Sequence, residues 1–279
     1  MAVEGGSWIW SASLRFYFMV PLLLIIVGKR GNLQPLMREM KSDPWQWLLW
    51  STIGFGIFYG GITFASNYGP SWLVASTWQV VIIAGILLAP LINKKDAESK
   101  ISPRAIFFSL IILSGVALMQ ISQATAISLE SMFLGTVPVL IAAFAYPLGN
   151  RMMMKVTGGR IDSYQRTLGM TLASLPFWIL LSTIGLLTVP NPSTAQIYQT
   201  LIVAICSGVI ATSLFFRATD LARNDAKLLA SVESTQAAEV IFAVIGEIIL
   251  LQSELPDIYS IIGMCLVILG MILHSVKRP

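Results

Sequence analysis

Nine stretches of this chain, at about residues 8–28, 46–66, 71–93, 103–121, 131–150, 165–188, 198–219, 227–251 and 257–276, are apolar for long enough to cross a bilayer. A helix needs about 20 such residues to span the hydrocarbon core. Inside that core no water is present to satisfy backbone N–H and C=O groups, so each stretch must bond internally, as a helix does. The segments between them are too short for a soluble domain. Of the 279 residues only 11% are charged and 56% are hydrophobic, whereas soluble domains carry roughly 25% charged residues. The fold class expected is therefore an all-α integral membrane protein with nine transmembrane helices.

Few catalytic options remain. Cys206 and Cys265 both sit inside apolar runs and His274 is the single histidine, too few ligands for a zinc site or a disulfide framework. HExxH, GxSxG and Walker-type phosphate loops are absent. The expectation is a chain that is not an enzyme and uses neither metal nor cofactor.

Lys and Arg collect on the cytoplasmic side of membrane proteins, and here they divide by loop. Lys29, Arg30, Arg38 and Lys41 follow the first span; Lys94, Lys95, Lys100 and Arg104 the third; Arg151, Lys155, Arg160 and Arg166 the fifth; Arg217, Arg223 and Lys227 the seventh; Lys277 and Arg278 end the chain. That is 17 of the 18 basic residues on one side. The opposite loops, near Asn67 to Ser71, Ser122 to Glu130, Pro190 to Gln196 and Ser253 to Asp257, hold none. This pattern predicts a multi-pass protein of the cell membrane, a bacterial inner membrane, with a cytoplasmic C-terminus and an external N-terminus. The basic balance is accounted for by topology, so it carries no nucleic-acid signal.

An internal repeat is also present. A shift of 155 residues lays Pro21 on Pro176, Leu73 to Ser76 on Leu228 to Ser231, and Gly115 on Gly270, in three helix pairs without a gap. Spans one to four match spans six to nine, and the fifth has no counterpart within the chain. The parent architecture expected is ten helices in two five-helix halves, here residues 1–122 without their first helix and residues 123–279 with all five. Because five is odd, the halves must be inverted relative to one another, a plan that puts a transporter's site near the midplane at the repeat interface.

GGSWIWSASLR (5–15), GPSWLVASTWQ (69–79), PVLIAAFAYPLGNR (138–151), YQRTLGMTLASLPFW (164–178), GVIATSLFF (208–216) and STQAAEVIFAVIGE (234–247) together resemble the drug/metabolite transporter superfamily, and within it the multidrug resistance efflux transporter family. The likeness covers nearly the whole chain. It implies ten helices with both termini cytoplasmic, a pattern from which this chain departs at its front, and export of drugs, amino acids or other metabolites. An Arg near position 15 is common in the superfamily.

The residues that could carry transport follow from where charge is costly. On a regular helix over 227–251, Glu233, Gln236, Glu239, Ala243 and Glu247 fall within an arc of about 120° at about 100° per residue. A charge at the bilayer centre costs about 2.5–3.5 kcal/mol on insertion scales, so such residues face the bundle interior or water. Glu239 lies nearest the midplane and is expected to exchange a proton for substrate, with Glu233 about 9 Å nearer the cytoplasm and Glu247 about 12 Å nearer the outside at ~1.5 Å per residue. Arg15, the one basic residue outside the cytoplasmic set, falls within the outer half of the membrane and is expected to pair with Glu247 or Glu239, or to meet an anionic substrate. Trp78 and Gln79 offer an aromatic face and an amide; under the repeat Trp78 falls on Glu233. Aromatic faces with an acid suit a hydrophobic cation. Gly56 and Gly60, as GxxxG, are expected to allow close packing inside the bundle. The function expected is proton-coupled export of small hydrophobic or cationic compounds. A metabolite or amino-acid permease of the same superfamily is the neighbouring reading, and a truncated non-transporting membrane protein the reading from another class. The partners are substrate, protons and the lipid bilayer.

Overall fold

The computed structural model describes residues 6–69, 71–92, 103–123, 128–225, 228–229, 232–233, 235–237, 239, 242, 245–246, 248–249, 252 and 255–276. All regular structure among them is helical. The elements are α1 (Trp8–Lys29), α2 (Leu33–Ser42), α3 (Pro44–Ser51), α4 (Phe58–Ala65), α5 (Ser71–Trp78), α6 (Val80–Ile92), α7 (Pro103–Gln123), α8 (Leu129–Thr157), α9 (Ser163–Thr188), α10 (Thr194–Val203), α11 (Thr212–Leu221) and α12 (Ile258–Val276). π-helical turns at Thr52–Ile57 and Ala204–Ala211 join α3 to α4 and α10 to α11. Five helical stretches are long and apolar enough to cross a membrane: Trp8–Lys29, Pro44–Ala65, Leu129–Thr157, Ser163–Thr188 and Thr194–Leu221. Shorter apolar helices run over Leu73–Leu88, Ile106–Met119 and Ile258–Leu273.

The chain packs as two compact units, one of Ala2–Thr63 with Leu148–Arg223, the other chiefly Phe64–Pro147 with Asn224–Pro279. Residues 1–122 and 123–279 are therefore interleaved, each unit drawing on both. In the first unit α1 lies along α9, and in the second α7 lies along α12. The 155-residue shift carries 8–29 onto 163–184 and 103–123 onto 258–278, the segments that pack together in each unit. The same shift carries the first π-helical turn onto 207–212, which overlaps the second.

The first unit is held by an aromatic and aliphatic core. Ala12, Phe16, Met19, Leu23 and Val27 recur every three or four residues on α1 and are buried against Leu168, Met170 and Trp178 of α9. Phe16 stacks on Trp178 with ring centroids 4.2 Å apart, and Phe55 meets Phe16 at 5.5 Å and Phe216 at 5.9 Å. Glycines admit the closest approaches. A Cβ on Gly149 would fall 2.4 Å from the Cα of Gly54, and one on Gly56 would fall 3.0 Å from the Phe177 ring. The GxxxG glycines do pack inside the bundle, with Gly60 beside the same ring.

Basic residues from two loops, Arg30 and Arg160, gather at one end of this unit. Arg160 pairs with Glu39, whose hydrogen bond and charge raise the guanidinium above its usual range. Arg30 lies 3.9 Å from Asp162, which also accepts from Asn32 at 3.1 Å. Asp162 additionally caps α9, accepting from the Gln165 backbone N–H at 2.8 Å while Gln165 Oε1 accepts from the Asp162 N–H at 2.8 Å, the reciprocal box that satisfies orphan donors at a helix start. The turn before it needs Gly158 and Gly159 at φ +56° and +75°, a region costly for other residues. Slightly deeper, buried Arg166 donates to Asp220 at 2.7 Å and to the Phe216 carbonyl at 3.2 Å. At the opposite end Gln196 Nε2 donates to the Ser7 carbonyl at 2.8 Å, and Trp10 Nε1 to that of Pro190 at 2.8 Å.

In the second unit the α7–α12 pair is built on glycine. A Cβ on Gly115 would lie 2.5 Å from the Gly263 carbonyl oxygen, and one on Gly263 would lie 2.6 Å from that of Gly115. Gly270 meets Ile112 in the same way at 2.7 Å. Ile112, Met119 and Val267 are fully buried beside them.

Candidate functional site

Two spans of the second unit depart from α-helical geometry, each at a polar side chain that bonds the backbone one turn back. α5 stops at Trp78 and α6 resumes at Val80, leaving Gln79 in a turn. Gln79 Nε2 donates to the Ala75 carbonyl at 3.1 Å, taking the acceptor that an α-helical N–H four residues on would use. The Ile82 N–H bonds the Gln79 carbonyl at 3.2 Å, a tighter turn. In the other span a single 3-10 turn occupies Thr235–Ala237, and Thr235 Oγ1 donates to the Val232 carbonyl at 2.7 Å. Shifted by 155 residues, Gln79 falls on residue 234, directly before that turn.

The interruptions are linked. Trp78 Nε1 donates to Gln236 Oε1 at 3.3 Å, and the Trp78 ring meets that of Tyr146 edge to face with centroids 5.7 Å apart. Trp78, Gln79 and Glu233 are all buried. Gln79 Oε1 is buried with no hydrogen-bond partner among the described residues, an acceptor with its desolvation uncompensated. Irregular backbone at membrane depth is tolerated where it is enclosed by protein or lines water, and interrupted helices are where secondary transporters hold substrate. Trp78 and Tyr146 thus bring two rings together beside the acceptor Gln79, and Glu233 is buried three residues before Gln236.

Sequence reasoning singled out Trp78, Gln79, Glu233 and Gln236, and the structure brings Trp78 to Gln236. Tyr146 was missed; its only sequence signal is a ring next to Pro147 in a segment whose neighbours Ala142, Ala143 and Ala145 are small and buried. Glu239 differs from Glu233 in being exposed. On a regular helix the two already lie about 120° apart, six residues at about 100° each, and so mark opposite edges of the polar arc. Glu247 and Ala243 lie outside the described residues.

Arg15 belongs to the first unit. Its guanidinium lies 3.9 Å from the centre of the Tyr59 ring and 5.4 Å from that of Phe16, and Nη2 donates to Ser207 Oγ at 3.0 Å. Among the described residues it takes part in no ion pair, and Glu247, one of its two expected partners, lies outside them. No group of three or more His, Cys, Asp or Glu side chains that could hold a metal occurs among the described residues.

Three comparisons place the chain among known proteins. It is 50% identical over 283 residues to the uncharacterized protein YjlA of Bacillus subtilis (strain 168), a match covering 99% of this chain and 87% of that one. It is 47% identical over 244 residues to an uncharacterized 42.1 kDa protein of Shouchella clausii, covering 86% of this chain and 64% of the relative. A solved crystal structure shares the fold at a TM-score of 0.65 and 12% identity, over 99% of this chain and 90% of the other. The EmrE family, described as "Putative multidrug resistance efflux transporter", matches residues 1–278. With that match over essentially its whole length, the chain belongs to the EmrE family of the drug/metabolite transporter superfamily and is a multi-pass membrane transporter.

Proposed function

We propose that the protein is a secondary active exporter of small hydrophobic cations, driven by protons, and that its substrate site is the junction of the two interrupted spans. The observation that carries this reading is the Trp78–Gln236 hydrogen bond, which ties the interruptions together beside a buried carboxylate, Glu233. Ring faces attract a desolvated cation, by about 2 kcal/mol where water is excluded, and a nearby carboxylate supplies the counter-charge. The chain has no phosphate-binding loop, so the energy for uphill transport comes from an ion gradient. The packing of α1 on α9 and of α7 on α12, each pair related by one 155-residue shift, supports an inverted repeat of the kind used for alternating access.

The test is transport in proteoliposomes with an imposed pH gradient, using tetraphenylphosphonium and, in parallel, a panel of amino acids. Tetraphenylphosphonium moving against its gradient only while the proton gradient persists is the expected result. Movement of amino acids but of no lipophilic cation would make the protein a metabolite permease instead.

Orientation is proposed from the 17-to-0 division of basic residues between the two sets of loops. In a background without Cys206 and Cys265, Asn191→Cys is expected to react with an impermeant maleimide added to intact cells, and Lys41→Cys only after lysis. Both positions are exposed, so accessibility on each side is not limited by packing. The reverse pattern overturns the assignment.

A further inference from the structure

We propose that Arg15 is an anion-binding subsite that takes the carboxylate of a small aromatic or otherwise apolar acid. Arg15 is 5% exposed and sits seven residues into α1, about 10 Å along the helix from its start, too deep for a lipid headgroup. A guanidinium carries five N–H donors, and among the described residues Arg15 satisfies one, from Nη2 to Ser207. Its Nε is buried with no hydrogen-bond partner. Tyr59 and Phe16 flank the cation with their rings, which favours the charge but accepts none of its remaining N–H groups. A carboxylate meets two guanidinium N–H groups at once in a forked geometry, and Nε with a terminal nitrogen presents such a fork. The ring cluster of Phe16, Phe55 and Tyr59 gives the body of the acid an apolar surround.

The backbone that presents Ser207 is unusual in a way that serves this contact. Ser207 lies within the π-helical turn Ala204–Ala211, and Thr212 Oγ1 donates to its carbonyl at 2.8 Å. The turn is thereby held with the Ser207 hydroxyl on the guanidinium, which fixes the direction in which the remaining donors point. This subsite is independent of the Trp78–Gln236 junction, and the proposal stands or falls without it.

Binding of benzoate to the detergent-purified protein, measured by equilibrium dialysis with benzamide as the neutral counterpart, tests the assignment. Benzoate is expected to bind and benzamide is not. Arg15→Gln is expected to abolish benzoate binding while the size-exclusion peak of the detergent-purified variant is retained as evidence of folding. If Arg15→Gln does not fold, Arg15→Lys carries the test: it keeps the charge, lacks the fork, and is expected to weaken benzoate by about tenfold or more. Benzoate binding that Arg15→Lys leaves unchanged, equal binding of benzamide, or binding that appears only after Glu247→Gln overturns the proposal, the last by showing that Glu247 already occupies the guanidinium.

Discussion

Gly115→Val is expected to remove most of the folded protein. Lipid tails are as apolar as the helices they surround, so there is little hydrophobic drive for two spans to associate, and van der Waals packing at close approach has to supply it. Between α7 and α12 that approach is made by backbone on backbone. The first added atom at Gly115 would stand 2.5 Å from the Gly263 carbonyl oxygen and 3.0 Å from the Val267 nitrogen, neither of which can swing aside as a side chain could. The helices must separate, and the contacts of Ile112, Met119 and Val267 go with them. Overpacking costs about 1–3 kcal/mol where neighbours can adjust; backbone neighbours adjust least, and total stabilities are only about 5–15 kcal/mol. Gly246→Val is the control, since a Cβ there meets nothing within 4 Å. Size-exclusion profiles of the detergent-extracted variants are expected to show a sharp peak for Gly246→Val and loss of it for Gly115→Val. Equal peaks would mean that the α7–α12 approach is looser than its glycines indicate.

Much of this fold was legible because membrane burial writes long, unambiguous signals. The runs at 8–28, 46–66, 131–150, 165–188 and 198–219 became the five long helical stretches, each extending by a few residues at one or both ends. α2 was not legible. It is ten residues long, below any spanning threshold, and its Leu33, Leu36, Met37 and Met40 repeat at helical spacing in a segment whose Arg38, Glu39 and Lys41 read as a charged loop. The π-helical turns and the breaks at Gln79 and Thr235 were invisible for a different reason: each changes the local hydrogen-bond register by one residue, and composition does not encode that register. Those breaks decide the site. A helix drawn at constant pitch through 227–251 joins Glu233, Gln236, Glu239 and Glu247 in one arc with Glu233 and Glu239 at its edges, about 120° apart, and does not say which edge is buried; the structure buries Glu233 and exposes Glu239. Arg15 could be placed in the membrane by length alone, but its contacts with Tyr59 and Ser207 require knowing that α1, α4 and the second π-helical turn share a unit.

Glu239→Gln is expected to abolish proton-driven transport while leaving the protein folded and able to bind tetraphenylphosphonium. Glu239 sits midway along the apolar run 227–251 and is exposed on the surface of the described structure. A carboxylate at that depth would cost about 2.5–3.5 kcal/mol or more if it faced hydrocarbon, so it belongs against water or a protein partner. We propose that it faces the aqueous path and carries the proton, while Glu233, buried beside the Trp78–Gln236 junction, supplies charge to the bound cation. The two roles separate experimentally. Gln keeps the shape of Glu and cannot titrate, so at position 239 it should leave cation affinity within about twofold and remove all dependence of transport on the pH gradient. At position 233 the same substitution removes an ionic contact and is expected to weaken tetraphenylphosphonium by about tenfold, ~1.4 kcal/mol, with gradient dependence retained at saturating substrate. Affinity from equilibrium dialysis and coupling from proteoliposome flux give both readouts on the same preparations. Gradient-driven transport surviving Glu239→Gln and vanishing in Glu233→Gln would move the proton to the buried carboxylate, and loss of neither would show that this span does not couple.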